Sequence, residues 1–255
     1  MSGLLDGKVV VVTGGASGIG RGTSLRCARE GAKVVIGDVR DAPREGGDPT
    51  VQAITAAGGV ARFVTCDVRR RGDLESLMDA AEDLGGVDVL VNNAGIFRHH
   101  NFLEVEEADF DVMFDVNVKA VYFAAQAAAR RMVERRSGVI INLSSIAGIR
   151  GAGGFVTYCA SKGAVRFMSM AMASELGPSG IRVCSVHPGL IDTSMTTADV
   201  PLLGAPAGEA LSRTIGLGRP GTPDDVAAGI VLLASDLAGY VTGASLLIDG
   251  GMMYT

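Results

Sequence analysis

Aromatic residues make up only 5% of the 255-residue chain, and there are just four cysteines and three histidines. Cys27, Cys66, Cys159 and Cys184 form no C-x-x-C pair and have no histidine at metal-ligand spacing. That pattern argues against structural zinc or a disulfide framework and suits a reduced compartment, so no metal centre is expected. An excess of positive charge is also missing: 23 basic against 28 acidic residues leave a net charge of -5. No overall field attracts nucleic acid or an anionic membrane surface, and neither is expected as a partner. The local runs Arg69-Arg70-Arg71 and Arg130-Arg131 with Arg135-Arg136 read as a turn and a helix end, where cations favour the dipole. No apolar stretch approaches membrane length, and the segment from Met1 to Lys8 lacks a signal-peptide layout, so a cytoplasmic protein is expected.

What is present is glycine, 36 residues of it, in a chain that is 47% hydrophobic and 20% charged, an ordinary globular make-up. Runs of β-branched residues such as Val9–Val12 point to parallel strands buried on both faces. Candidate strands are Val9–Val12, Val34–Ile36, Arg62–Val64, Val89–Val91, Val139–Leu143, Val183–Val186 and Leu246–Ile248. Amphipathic segments alternate with them, which predicts an α/β architecture: a seven-stranded parallel sheet with helices on both faces. No linker or composition break interrupts residues 1–255, so one domain is expected. A long helix is predicted from Glu107 to Arg135, stopped by Gly138, and another from Thr157 to Leu176, ended by Gly177-Pro178. The stretch at about 190–218 has poor periodicity and carries Pro201 and Pro206, which predicts a mobile lid.

Directly after the first strand stands Thr13-Gly14-Gly15-Ala16-Ser17-Gly18-Ile19-Gly20. Glycines 14, 18 and 20 let backbone approach a pyrophosphate, and the following helix N-terminus favours negative charge. The position between strand and helix is what a dinucleotide motif demands, although G-x-x-x-G-x-G departs from the common G-x-G-x-x-G. Asp38 ends the second strand, where a carboxylate accepts hydrogen bonds from the adenosine ribose and repels a 2′-phosphate. That favours NAD(H) over NADP(H), with nearby Arg40 as a cation able to bind a phosphate.

Tyr158 and Lys162 stand four apart on a predicted helix and so share a face. Bringing a phenol from about 10 to about 7 requires about 4 kcal/mol, which one ammonium at ~4.5 Å supplies at an effective dielectric of about 20. An oxidised nicotinamide adds to that. Tyr158 then serves as acid/base. Ser145 follows the strand Val139–Leu143 at its carboxyl end, where its hydroxyl can hydrogen-bond a substrate oxygen.

With these motifs the sequence resembles the short-chain dehydrogenase/reductase family over nearly the whole chain. Asp67-Val68, Asn92-Asn93-Ala94-Gly95 and Pro188-Gly189 with Ile191 and Thr193 extend the likeness. The resemblance implies a single Rossmann-type, doubly wound domain. It implies that Gly14, Ser17, Gly18, Ile19 and Gly20 cradle the cofactor and that Asp67 and Val68 frame its adenine. It further implies that Asn92, Ala94 and Gly95 line the site and that Pro188, Gly189, Ile191 and Thr193 orient the nicotinamide. Asn117 would complete a tetrad with Ser145, Tyr158 and Lys162 by holding a water that relays protons. A homotetramer is implied as well, and the segments Asp225 to Leu233 and Ala244 to Ile248 are apolar enough to serve it. One departure is Cys184, where the family usually has asparagine; it reads as a packing residue, and His187 reads as a satisfied strand-end histidine.

The walls available to substrate, in the turn from Ile146 to Val156 and in the lid, are small or apolar. They predict a small or medium, predominantly apolar secondary alcohol or its ketone. Arg98, His99, His100 and Arg150 are the counter-evidence, since each can recognise an anion; they are expected to be solvated. Two rivals remain. One is an NADPH-dependent 3-oxoacyl thioester reductase, against which Asp38 speaks; the other is a catalytically silent nucleotide-binding sensor.

Overall fold

The computed structural model describes residues 3–203 and 206–254. Met1, Ser2 and Thr255, and Gly204 and Ala205 of the expected lid, lie outside the described residues. Seven strands form one parallel sheet: β1 (Val9–Thr13), β2 (Lys33–Asp38), β3 (Val60–Thr65), β4 (Val89–Asn92), β5 (Gly138–Leu143), β6 (Ile181–Pro188) and β7 (Ser245–Ile248). Their order is β3-β2-β1-β4-β5-β6-β7. The connections are α1 (Gly18–Arg29), α2 (Thr50–Ala56), α3 (Arg71–Glu82), α4 (Glu107–Phe114), α5 (Ala120–Arg135), α6 (Val156–Leu176), α7 (Pro206–Ser212) and α8 (Pro223–Ala234). All seven expected strands occur, with ends moved by one to a few residues.

The valine-rich strands face apolar layers on both sides. Val10, Val12, Ile36, Ile141 and Val186 pack with Val226 and Ile230 of α8. Val9, Val11, Val35, Ile140 and Val183 pack on the opposite face with Leu77 of α3, Ala124 and Met132 of α5 and Ala173 of α6. Successive residues of one strand thus serve opposite layers, as the period of two requires. Since β1 sits between β2 and β4, the direction in which successive strands are added reverses there and a crevice opens at the carboxyl ends of the strands.

One expectation is corrected. The helix expected from Glu107 to Arg135 is split by a π-helical turn, Asp115–Lys119, in which the Ala120 amide donates to the Asp115 carbonyl. The extra residue coincides with Asn117, whose side chain is drawn to a neighbouring loop, and such bulges gather at functional sites. α5 ends where Arg136 turns left-handed at φ 50°, two residues before Gly138. The expected lid is more regular than its composition suggests: it holds a π-helical turn, Met195–Asp199, and the helix α7. Among the described residues no helix is long and apolar enough to cross a membrane.

Candidate active site

The loop between β1 and α1 is tied to the end of β4. The Thr13 hydroxyl accepts from the amides of Asn93 and Ala94 at 3.0 and 3.1 Å, and the Asn93 side chain donates to the Thr13 and Gly14 carbonyls at 2.9 and 3.1 Å. Two of the expected glycines are required by geometry. Gly14 has φ +64°, and a Cβ at Gly20 would lie 2.1 Å from the Gly14 carbonyl oxygen, so α1 starts hard against the loop. The Asp38 carboxylate, at the end of β2, accepts from the amides of Ala16 at 3.2 Å and Arg40 at 3.4 Å.

Gly14, Ser17, Gly18, Ile19, Asp38, Asp67, Val68, Ala94 and Gly95 line one side of a cleft of about 970 Å³. Pro188, Gly189, Ile191 and Thr193 line it from the strand β6 side, and Ser145, Tyr158 and Lys162 from the middle. Arg69 pairs with Asp67 at 2.6 Å and holds its carboxyl below the usual range. Gly20, Asn92 and Asn117 stand behind the wall rather than in it. For Asn92 the reason is a polar brace inside the sheet: its amide donates to Asn142 at 2.9 Å, and the Asn142 amide donates to Ser169 at 2.9 Å. Asn93 takes the position facing the cleft.

Tyr158 occupies the first turn of α6, with Lys162 one turn on. Lys162 is buried, and Tyr158 is half-buried at the cleft wall. Ser145 and Tyr158 share the cleft wall. The Lys162 ammonium donates to the Leu143 carbonyl at 2.8 Å and lies 5.8 Å from the centre of the Tyr158 ring. Burial pushes Lys162 down to about 8 and Tyr158 up to about 12; the Ser145 hydroxyl opposes the second shift and the neighbouring Cys159 adds to it.

A family model described as enoyl-(acyl carrier protein) reductase matches residues 14–253. L-2,3-butanediol dehydrogenase of Corynebacterium glutamicum is 43% identical over 256 residues, covering 97% of this chain and 99% of the relative. L-rhamnose 1-dehydrogenase (NAD(P)(+)) of Azotobacter vinelandii is 44% identical over 252 residues, 98% of each. A solved structure of a short-chain type dehydrogenase/reductase from Mycobacterium marinum superposes with a TM-score of 0.89 at 35% identity, over 98% of this chain and 97% of the other. The chain belongs to the short-chain dehydrogenase/reductase family. It is thus an oxidoreductase of CH–OH groups from a family that binds a nicotinamide cofactor.

Ser144 and Phe97, which support the site of this short-chain dehydrogenase/reductase, escaped the sequence reading, whereas His187 is the satisfied strand-end histidine expected. Ser144 donates to the Lys162 carbonyl at 2.8 Å, and one ring nitrogen of His187 pairs with the Ser145 carbonyl at 2.9 Å. The other His187 nitrogen meets the Ser185 hydroxyl at 2.8 Å, so this buried histidine has partners on both sides. Cys184 packs in the core beside β5. Ile96, Phe97, Val116, Phe155, Leu190 and Met252 contribute apolar surface to the same cleft. Phe97 stacks on Phe155 at 4.9 Å and tilts against the Tyr158 ring at 4.6 Å. Arg98 is ion-paired to Asp109 at 2.8 Å and His99 packs edge-on against Phe155. His100 is half-buried, and Arg150 lies exposed at the cleft.

Proposed function

We infer that the chain is an NAD(H)-dependent oxidoreductase that interconverts a secondary alcohol and a ketone, with Tyr158 as acid/base. The observation that carries this reading is the meeting of Ser145, Tyr158 and buried Lys162 in the same cleft as the glycine loop. Tyr158 exchanges a proton with the substrate oxygen. Ser145 donates a hydrogen bond to that oxygen as charge develops on it. The Lys162 ammonium favours the phenolate over the phenol. Asn117 is a positioning residue: a Cβ at Gly95 would come within 3.2 Å of its side-chain oxygen and 3.5 Å of the Lys162 ammonium.

The residues present fit a dinucleotide. Gly14 and Gly18 keep side chains away from the N-terminus of α1, as a pyrophosphate requires. Asp38 stands at the strand end suited to a ribose and hostile to a 2′-phosphate. Asp67 and Val68 fit the adenine end, and Pro188, Gly189, Ile191 and Thr193 the nicotinamide end. When bound, the nicotinamide supplies the hydride acceptor or donor and, oxidised, a positive charge. The apolar walls favour a small or medium hydrocarbon skeleton, in keeping with a relative that is a butanediol dehydrogenase. The remaining features of this reading are one domain over residues 1–255, a lid at about 190–218, a homotetramer and a cytoplasmic location.

Initial rates with NAD⁺ and NADP⁺ over aliphatic and cyclic secondary alcohols, their ketones, acidic analogues and a 3-oxoacyl thioester test the reading. A higher kcat/KM with NAD⁺ and neutral alcohols is expected. Preference for NADP(H) or for the thioester overturns it, and light scattering that reports a monomer overturns the tetramer.

A further inference from the structure

The segment 39–49, between β2 and α2, has no part in the proton chemistry, yet it is bound to the cleft at several points. Its ends are fixed by buried Pro43 and by Thr50, whose hydroxyl reaches the Gly15 carbonyl at 3.2 Å. Gly46 and Gly47, at φ +82° and +87°, bend the chain back between these anchors. At the near end, the Arg44 amide donates to the Ser17 hydroxyl at 2.8 Å, and the Gly18 amide donates to the Glu45 carboxylate at 2.8 Å. The Arg44 guanidinium then reaches across to Asp199 of the lid with two hydrogen bonds, at 2.6 and 2.5 Å.

Helix α1 itself offers no anion to its N-terminus. Its first turn has no acidic residue, and Ser17 makes no capping bond with its side chain. The free donors at a helix start attract an anion, and the anion that answers here comes from 27 residues away. It occupies a donor that faces the cleft, at the end of the cleft that suits a dinucleotide's phosphates. We propose that residues 39–49 are an internal strap that competes with the cofactor, the Glu45 carboxylate standing where a cofactor phosphate binds and the Arg44–Asp199 pair latching the strap to the lid. The proposal rests on the dinucleotide reading of the cleft. Two anions do not share one donor set, so the strap must lift before the pyrophosphate settles. The apparent affinity is then reduced by the fraction of molecules in which the strap is already open. The latch is a surface pair, with each side chain about one-third exposed, and such pairs open readily.

NADH binding followed by its fluorescence, and ADP binding followed by calorimetry, test this on the full chain. Glu45→Gln keeps an oxygen that can accept from Gly18 but removes the charge that repels a phosphate. Asp199→Asn leaves Glu45 in place and weakens the latch. Each variant is expected to lower the dissociation constants of NADH and ADP by about threefold at low salt, the size of a helix-terminus charge effect. Unchanged or weaker binding in either variant overturns the strap. Failure of the unmodified chain to bind NADH and ADP at all overturns the dinucleotide reading, and the strap with it, so the two failures are separable.

Discussion

The side chain of Asn117 grips Ile96 by both of its backbone polar groups: its oxygen accepts from the Ile96 amide at 2.8 Å, and its nitrogen donates to the Ile96 carbonyl at 2.9 Å. The same nitrogen also reaches the Ser161 hydroxyl at 3.2 Å, which ties the π-helical turn both to α6 and to the loop after β4. The side chain is thus engaged by the protein and holds Ile96.

Asn117→Ala leaves the amide and carbonyl of Ile96 without those partners. A loss of about 2–4 kcal/mol in unfolding free energy is expected, along with a fall in kcat/KM. Chemical denaturation checks the first figure; a loss smaller than about 0.5 kcal/mol would show that Asn117 is no brace.

Tyr158→Phe removes the exchangeable proton and leaves the ring packed on Phe97. Turnover should fall by about two to four orders of magnitude, with the NADH dissociation constant nearly unchanged. Ser145→Ala should also be severely impaired. Steady-state rates with NADH titrations alongside decide this, and retention of most of the activity in Tyr158→Phe would defeat the mechanism.

Lys162 has its ammonium pushed down from 10.5 to about 8 by burial. Below pH 8 the folded chain must hold a buried charge that the unfolded chain carries in water, so this group opposes folding there. The opposition fades as pH rises from 8 to 10.5, because the folded state gives up the proton first. Lys162→Met should therefore be more stable than the natural chain at pH 7, by about 2 kcal/mol after the lost hydrogen bond is counted. The gain should be clearly smaller at pH 9.5, and the variant should be inactive. Denaturant midpoints at the two pH values measure it; a gain that grows with pH would contradict the sign.

Asn92→Ala separates a brace from a cofactor ligand. Asn142 would lose its buried donor across β4 and β5, so stability should drop by about 1–3 kcal/mol with little change in NADH affinity. A large loss of affinity at unchanged stability would restore the contact that the family likeness implies.

The sequence by itself determined the layers and the location of the chemistry. Runs such as Val9–Val12 are buried whichever face they present, so the parallel sheet was legible without knowing any contact. The glycines at 14 and 20 are demanded by local backbone geometry, which a short motif records. Tyr158 and Lys162 share a face because helical spacing fixes it. Tertiary structure decided what depends on partners distant in sequence. Asn92 and Asn93 are adjacent and chemically identical, and a strand buried on both faces gives no sign of which one turns outward. The π-helical turn at Asn117 forms because Ile96, 21 residues away, presents its backbone there. The upward push on the Tyr158 phenol comes from desolvation, a property of everything packed around it that spacing along the helix does not record. Arg44 and Asp199 meet across 155 residues of chain, and no local pattern records such a pair, because only the folding of the sheet brings the two sides of the crevice together.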